Sequence, residues 1–136
     1  MPRLIMYHKQ STSARTRFLR LAYRGVCGFE PLPTLSELAE VDPPPKVATH
    51  PAALVRNAEQ RLGLPAGGLE LESGFRCRVD SAGEATQVFL ARFTAIDPPF
   101  EVAAAQGGAF IDLTQARGLP PVELQLLRRA YEAILG

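Results

Sequence analysis

The segment TQVFLARFTA, residues 86–95, constrains the fold more than any other part of the chain. Successive side chains of a strand point to opposite faces. Laid out that way, Phe89, Ala91 and Phe93 share one face, and Val88, Leu90 and Arg92 share the other. Apolar residues on both faces describe a central strand covered on each side.

The preceding residues supply its partner. Leu69, Leu71, Phe75, Cys77 and Val79 favour a strand, with Ser73-Gly74 as a bulge. Asp80-Ser81-Ala82-Gly83 then makes the turn of a hairpin. RLIMY, residues 3–7, reads as a further strand, and AFIDL, residues 109–113, as a short buried one. The expected architecture is a single α+β domain over residues 1–136, with a mixed or antiparallel sheet of about four strands packed by helices.

Prolines and glycines mark the helices. In HPAALVRNAEQRLGL, residues 50–64, Thr49 or His50 can cap, and Pro51 takes the first helical position, where its missing N–H costs nothing. Leu54, Val55, Ala58 and Leu62 form a core-facing stripe, and Gly63 is placed to end the helix. In IDPPFEVAAAQGG, Asp97 caps, Pro98 suits the first turn and Gly107-Gly108 closes. Thr114 to Gly118 reads as a turn. Pro120-Pro121 opens a last helix to about Leu135, with Val122, Leu126, Leu127, Ala130, Tyr131 and Ile134 as its apolar stripe.

Two further helices are expected nearer the start. Thr34 with Glu37 makes a capping box, which predicts a helix from Leu35 to about Glu40, stopped by the extended DPPPK connector. Between Ser13 and Val26, the residues Phe18, Leu21, Ala22 and Val26 recur at helical spacing, so a helix is expected there too. Alternation over residues 17–23 leaves a strand as the alternative.

Composition bounds the function. At 46% hydrophobic and 21% charged, the chain is too apolar for disorder. No apolar run approaches the ~20 residues that span a membrane, and MPRLIMYHKQ lacks a signal-peptide pattern, so a cytoplasmic location is expected. A net charge of +1 argues against a general nucleic-acid binder. The charge is nevertheless uneven: Arg3, Lys9, Arg15, Arg17, Arg20 and Arg24 stand against Glu30 alone in residues 1–30. Such a face could meet a phosphate-containing small molecule or an acidic protein surface. Arginine outnumbers lysine, as GC-rich, bacterial-type coding also produces.

Cys27 and Cys77 read as reduced thiols. With His8 and His50 they have no CxxC or HxxxH spacing, so no metal site is expected from them. A thiol nucleophile would need one of these cysteines beside one of these histidines. GxSxG, P-loop and HExxH patterns are absent.

The order helix, long hairpin, short helix, strand, terminal helix resembles the second half of the Nudix hydrolase fold. That family carries the signature GX5EX7REUXEEXGU, whose helical carboxylates hold Mg²⁺ against a diphosphate. Laid on this sequence, its arginine falls on Arg56, its helix-ending glycine on Gly63 and the next aliphatic on Leu64. The tail GAFIDLTQARGLPPVE is similar to the family's late strand and proline-rich turn. The three helical glutamates fall instead on Asn57, Gln60 and Arg61, the upstream glycine on Asp42 and the upstream glutamate on Ala48. Glu59, the one acid in the helix, lies one residue out of register, roughly 100° around the axis.

The resemblance therefore implies a Nudix-like fold with a degenerate box and no cofactor. The expected function is non-catalytic binding of a nucleotide or another anion by Arg56, Asn57, Gln60 and Arg61, with Arg20 and Arg24 as further candidates. Two alternatives stand beside it. One is a Mg²⁺-dependent pyrophosphohydrolase of nucleoside-diphosphate-linked compounds, with relocated acids Glu59, Glu70, Glu72 or Glu101. The other is a protein-interaction or structural domain using Pro43–Pro45 and the basic face.

Overall fold

The computed structural model describes residues 2–33, 35–39 and 51–135. Strands β1 (Arg3–Lys9), β2 (Thr16–Arg20) and β3 (Glu37–Leu38) precede helix α1 (Pro51–Leu62). Strands β4 (Leu69–Leu71), β5 (Cys77–Ser81) and β6 (Glu84–Phe93) follow, then helix α2 (Phe100–Ala105), strand β7 (Ala109–Ile111), a 3₁₀ turn (Leu113–Gly118) and helix α3 (Pro121–Leu135). None of these helices is long and apolar enough to cross a membrane.

Among the described residues the sheet has seven strands where about four were expected, in the order β3-β5-β6-β1-β2-β7, with β4 also on β6. β6 is central, as its two apolar faces require. One edge pairs in parallel with β1, from Arg3↔Val88 to Tyr7↔Arg92. The other edge takes β5 along residues 84–88 and β4 along residues 91–93. The expected bulge at Ser73-Gly74 is thus a full break between two strands, both laid on β6. The hairpin turn narrows to Ala82 and Gly83, both at positive φ (49° and 84°), matching a type I′ turn.

Helices cover both faces of the sheet. On one side, Leu4, Met6, Leu19, Phe89, Ala91 and Phe93 pack with Val55, Ala58 and Leu62 of α1 and Ala103 of α2. On the other, Ile5, Tyr7, Phe18, Val88 and Leu90 pack with Leu126, Leu127 and Ala130 of α3. Burying most of such side chains contributes about 1.5–3 kcal/mol each.

Residues 16–20 form a strand, which corrects the helix expected over residues 13–26. Phe18 and Leu19 are adjacent and both fully buried, on opposite faces of the sheet. A helix presents one apolar stripe to one layer, whereas these two side chains enter the two separate core layers. Pairing with both β1 and β7 also satisfies the β2 backbone at long range. The chain then turns sharply: the Leu21 N–H donates to the Gly25 carbonyl and the Arg24 N–H to the Leu21 carbonyl, both at 2.8 Å.

The expected helix from Leu35 is corrected as well. Glu37 and Leu38 pair with Asp80 and Val79 as an edge strand. Thr34, Glu40, Pro43–Pro45, Asp42, Ala48, Thr49 and His50 lie outside the described residues. α1 starts at Pro51 as expected, and Gly63 ends it at φ 71° with the Leu64 N–H returning to the Glu59 carbonyl at 2.8 Å. α2 begins at Phe100, later than Asp97-Pro98 implied.

Candidate functional site

The four α1 candidates separate into two pairs one turn apart. Asn57 and Arg61 line a cleft of about 160 Å³ with Leu54; Arg3, Phe29 and Glu30 form its opposite wall. Arg56 and Gln60 are exposed and do not line it. Within the cleft the Arg61 guanidinium lies over the Phe29 ring, 4.0 Å from its centroid. That contact holds the cation by the ring's negative face, and among the described residues no acceptor takes its N–H edges, which can meet an anion.

The loop that carries Phe29 is held in place. Arg3 donates to the carbonyls of Glu30 and Pro31. The Gly28 N–H donates to the Leu4 carbonyl at 3.1 Å, and the Tyr23 hydroxyl donates to the Gly28 carbonyl at 3.0 Å. Gln106, just past the end of α2, docks the other wall, donating from Nε2 to the Arg61 carbonyl at 3.1 Å. Arg3, Phe29 and Glu30 were not among the sequence candidates. The basic bias of residues 1–30 was the one signal that touched them.

The remaining candidates lie elsewhere. Glu59 is buried, and its Oε2 accepts from the Gly67 and Leu69 N–H groups at 2.9 and 3.1 Å, which anchors the turn into β4. Glu70 pairs with Arg92 at 3.4 Å, and Glu72 accepts from the Tyr7 hydroxyl at 2.6 Å, both on the α3 side of the sheet. Glu101 is exposed in the first turn of α2. Arg20 and Arg24 share a separate cavity with Gln115.

A magnesium ion does not fit the α1 face of this cleft. Mg²⁺ demands near-octahedral oxygen ligands, usually carboxylates. This face offers the Asn57 amide and the Arg61 guanidinium, and Glu30 is the one acid lining the cleft. Among the described residues, no group of three or more His, Cys, Asp or Glu side chains comes together.

The thiols are not arranged for nucleophilic work. Cys27 and Cys77 sit in the α3-side core, whereas His8 follows Leu4 and Met6 onto the other face, its Nε2 bonded to the Ala95 carbonyl at 2.8 Å. Burial, helped by the Glu123 charge, pushes the Cys27 thiol up to about 12. Burial also raises the phenols of Tyr7, aided by its bond to Glu72, and Tyr23, aided by the Glu123 charge.

These shifts have a sign. The native state keeps the groups neutral while the unfolded chain ionises them from their ordinary values of 9.0 and 10.0. Above about pH 9 the unfolded state binds fewer protons, so stability falls as pH rises. Below that value the contribution is fully present. Thermal unfolding at pH 7, 9 and 10.5 checks this. The melting temperature should drop over the upper interval, and Cys27→Ala should flatten the slope. A flat wild-type profile would contradict it.

No protein-family model matches the chain, and no curated protein matches it.

Proposed function

We propose that the chain is a non-catalytic, Nudix-like domain whose α1 cleft binds the anionic part of a small ligand, with phosphate-containing compounds such as nucleotides as the favoured class. The observation that carries this reading is the Arg61 guanidinium stacked on Phe29, one helical turn from Asn57, on a helix face without a carboxylate. The cleft volume, about 160 Å³, is below the ~300–1,000 Å³ of sites that engulf a drug-sized ligand. It would hold one group of a nucleotide and leave the rest outside. The four acids that a relocated hydrolase site would use do not line this cleft, which favours binding over turnover.

The test is thermal stabilisation by pyrophosphate, AMP and ADP, each with Mg²⁺ and with EDTA. Stabilisation that EDTA leaves unchanged is expected, about 2.7 kcal/mol at a hundredfold excess over Kd. Arg61→Ala should diminish it. No shift with any compound, or an undiminished shift in Arg61→Ala, would reject the reading. Metal-dependent phosphate release would support the hydrolase alternative instead.

A further inference from the structure

Arg20 and Arg24 stand on the other side of the sheet from the α1 cleft. Phe18 packs on the α3 side and Leu19 on the α1 side, so by alternation Arg20 follows Phe18. There Arg20 and Arg24 line a cavity of about 160 Å³ with Gln115, Gly118 and Leu119. Among the described residues no carboxylate lines it and neither arginine has an acidic partner. The acids nearby are occupied. Glu123 accepts from the Val26 and Cys27 N–H groups, and Asp112 holds Arg15 at 3.3 Å and accepts from the Thr114 hydroxyl. The Gln115 Oε1 accepts from the Asp112 N–H at 3.0 Å, which leaves its Nε2 as a donor.

Arg24 adopts φ 70°, a left-handed conformation that strains any residue with a Cβ and that glycine takes freely. The turn from Leu21 to Gly25 requires that conformation but nothing of the guanidinium. Ala14, Leu35 and Ala82 also take positive φ, so the conformation belongs to the turn, and a glycine at position 24 would keep it without strain.

We infer that Arg20, Arg24 and Gln115 form a second anion site, separate from the α1 cleft, for a phosphate dianion: free orthophosphate or a small phosphomonoester. Two guanidinium forks match a phosphate group, which carries roughly −1.5 to −2 at neutral pH, better than a singly charged carboxylate. The volume, about 160 Å³, suits a single phosphate group.

The strain at Arg24 makes the test selective, because Arg24→Gly removes the cation and relaxes the backbone together. Amide NMR shifts are followed during titration with orthophosphate and with phenyl phosphate at constant ionic strength. Saturable shifts are expected at Gly25, Gln115, Gly118 and Leu119. In Arg24→Gly the affinity should fall at least tenfold while the melting temperature holds or rises. Arg20→Gln should weaken binding likewise and serves if the first variant fails to fold. Tighter binding of phenyl phosphate identifies an ester ligand; equal binding identifies free phosphate. Arg61→Ala should leave these shifts intact, whatever it does at the α1 cleft. Unchanged affinity in Arg24→Gly, equal shifts with chloride, or loss of the shifts in Arg61→Ala would overturn the assignment.

Discussion

Glu123→Ala is expected to destabilise the fold by about 3–5 kcal/mol, from two buried amide donors at about 1–3 kcal/mol each plus the space left behind. Glu123 is 1% exposed in the first turn of α3, where the helix dipole favours an acid. Its Oε1 accepts from the Val26 N–H at 2.7 Å and the Cys27 N–H at 3.0 Å, nearly a hundred residues away in sequence. Removing it strands both donors in the core, and in a domain with only about 5–15 kcal/mol in hand the loss is severe. Glu123→Gln separates hydrogen bonding from charge. The amide oxygen can accept the same two bonds, though neutral ones are about half as strong, so less than half the alanine loss is expected. Denaturant midpoints at constant slope measure both variants. An alanine variant within about 1 kcal/mol of wild type would show that this loop has another support.

Gly108→Ala is expected to cost roughly 3 kcal/mol or more, because the overpacking falls on backbone. A Cβ at Gly108 would lie 2.1 Å from the Arg20 carbonyl oxygen and 3.2 Å from the Leu21 Cα. Neither atom can rotate away. β2 and β7 would have to separate, which breaks the Arg20↔Ala109 and Leu19↔Phe110 pairing. Gly74→Ala is the control: nothing lies within 4 Å of its added Cβ, so a change within about 0.5 kcal/mol is expected. Equal effects in the two variants would refute the close-approach argument. Orthophosphate binding in Gly108→Ala is a second readout, since Arg20 moves with β2.

Where the chain carries punctuation, the elements were legible. Pro51 and Gly63 bracket α1, and Pro121 opens α3. Those signals work because a missing N–H and a left-handed backbone are properties of the residue itself. β2 was not legible. TRFLR fits a helix as well as a strand over so short a span, and pairing with β1 and β7 settled the choice. β3 failed for a similar reason: the spacing that suggested a cap says nothing about an edge of β5 that lies about forty residues on.

The candidate cleft was half legible. Asn57 and Arg61 came from their positions on the helix, since the spacing of one turn is a local property. Phe29 and Arg3 did not, because no period connects residue 3, residue 29 and residue 61. Glu59 looked like a spare acid in the sequence, yet it is a buried anchor for the Gly67 and Leu69 amides.

The sequence by itself determined the two-faced strand, both long helices, and a helix face that carries the Asn57 amide and the Arg61 guanidinium one turn apart. Only the tertiary structure decided that Arg61 meets Phe29 while Arg20 and Arg24 share a cavity on the opposite side of the sheet. The physical reason is range. Backbone preference and periodicity act within a few residues, whereas a site is made by contacts that the sheet order brings together from distant parts of the chain.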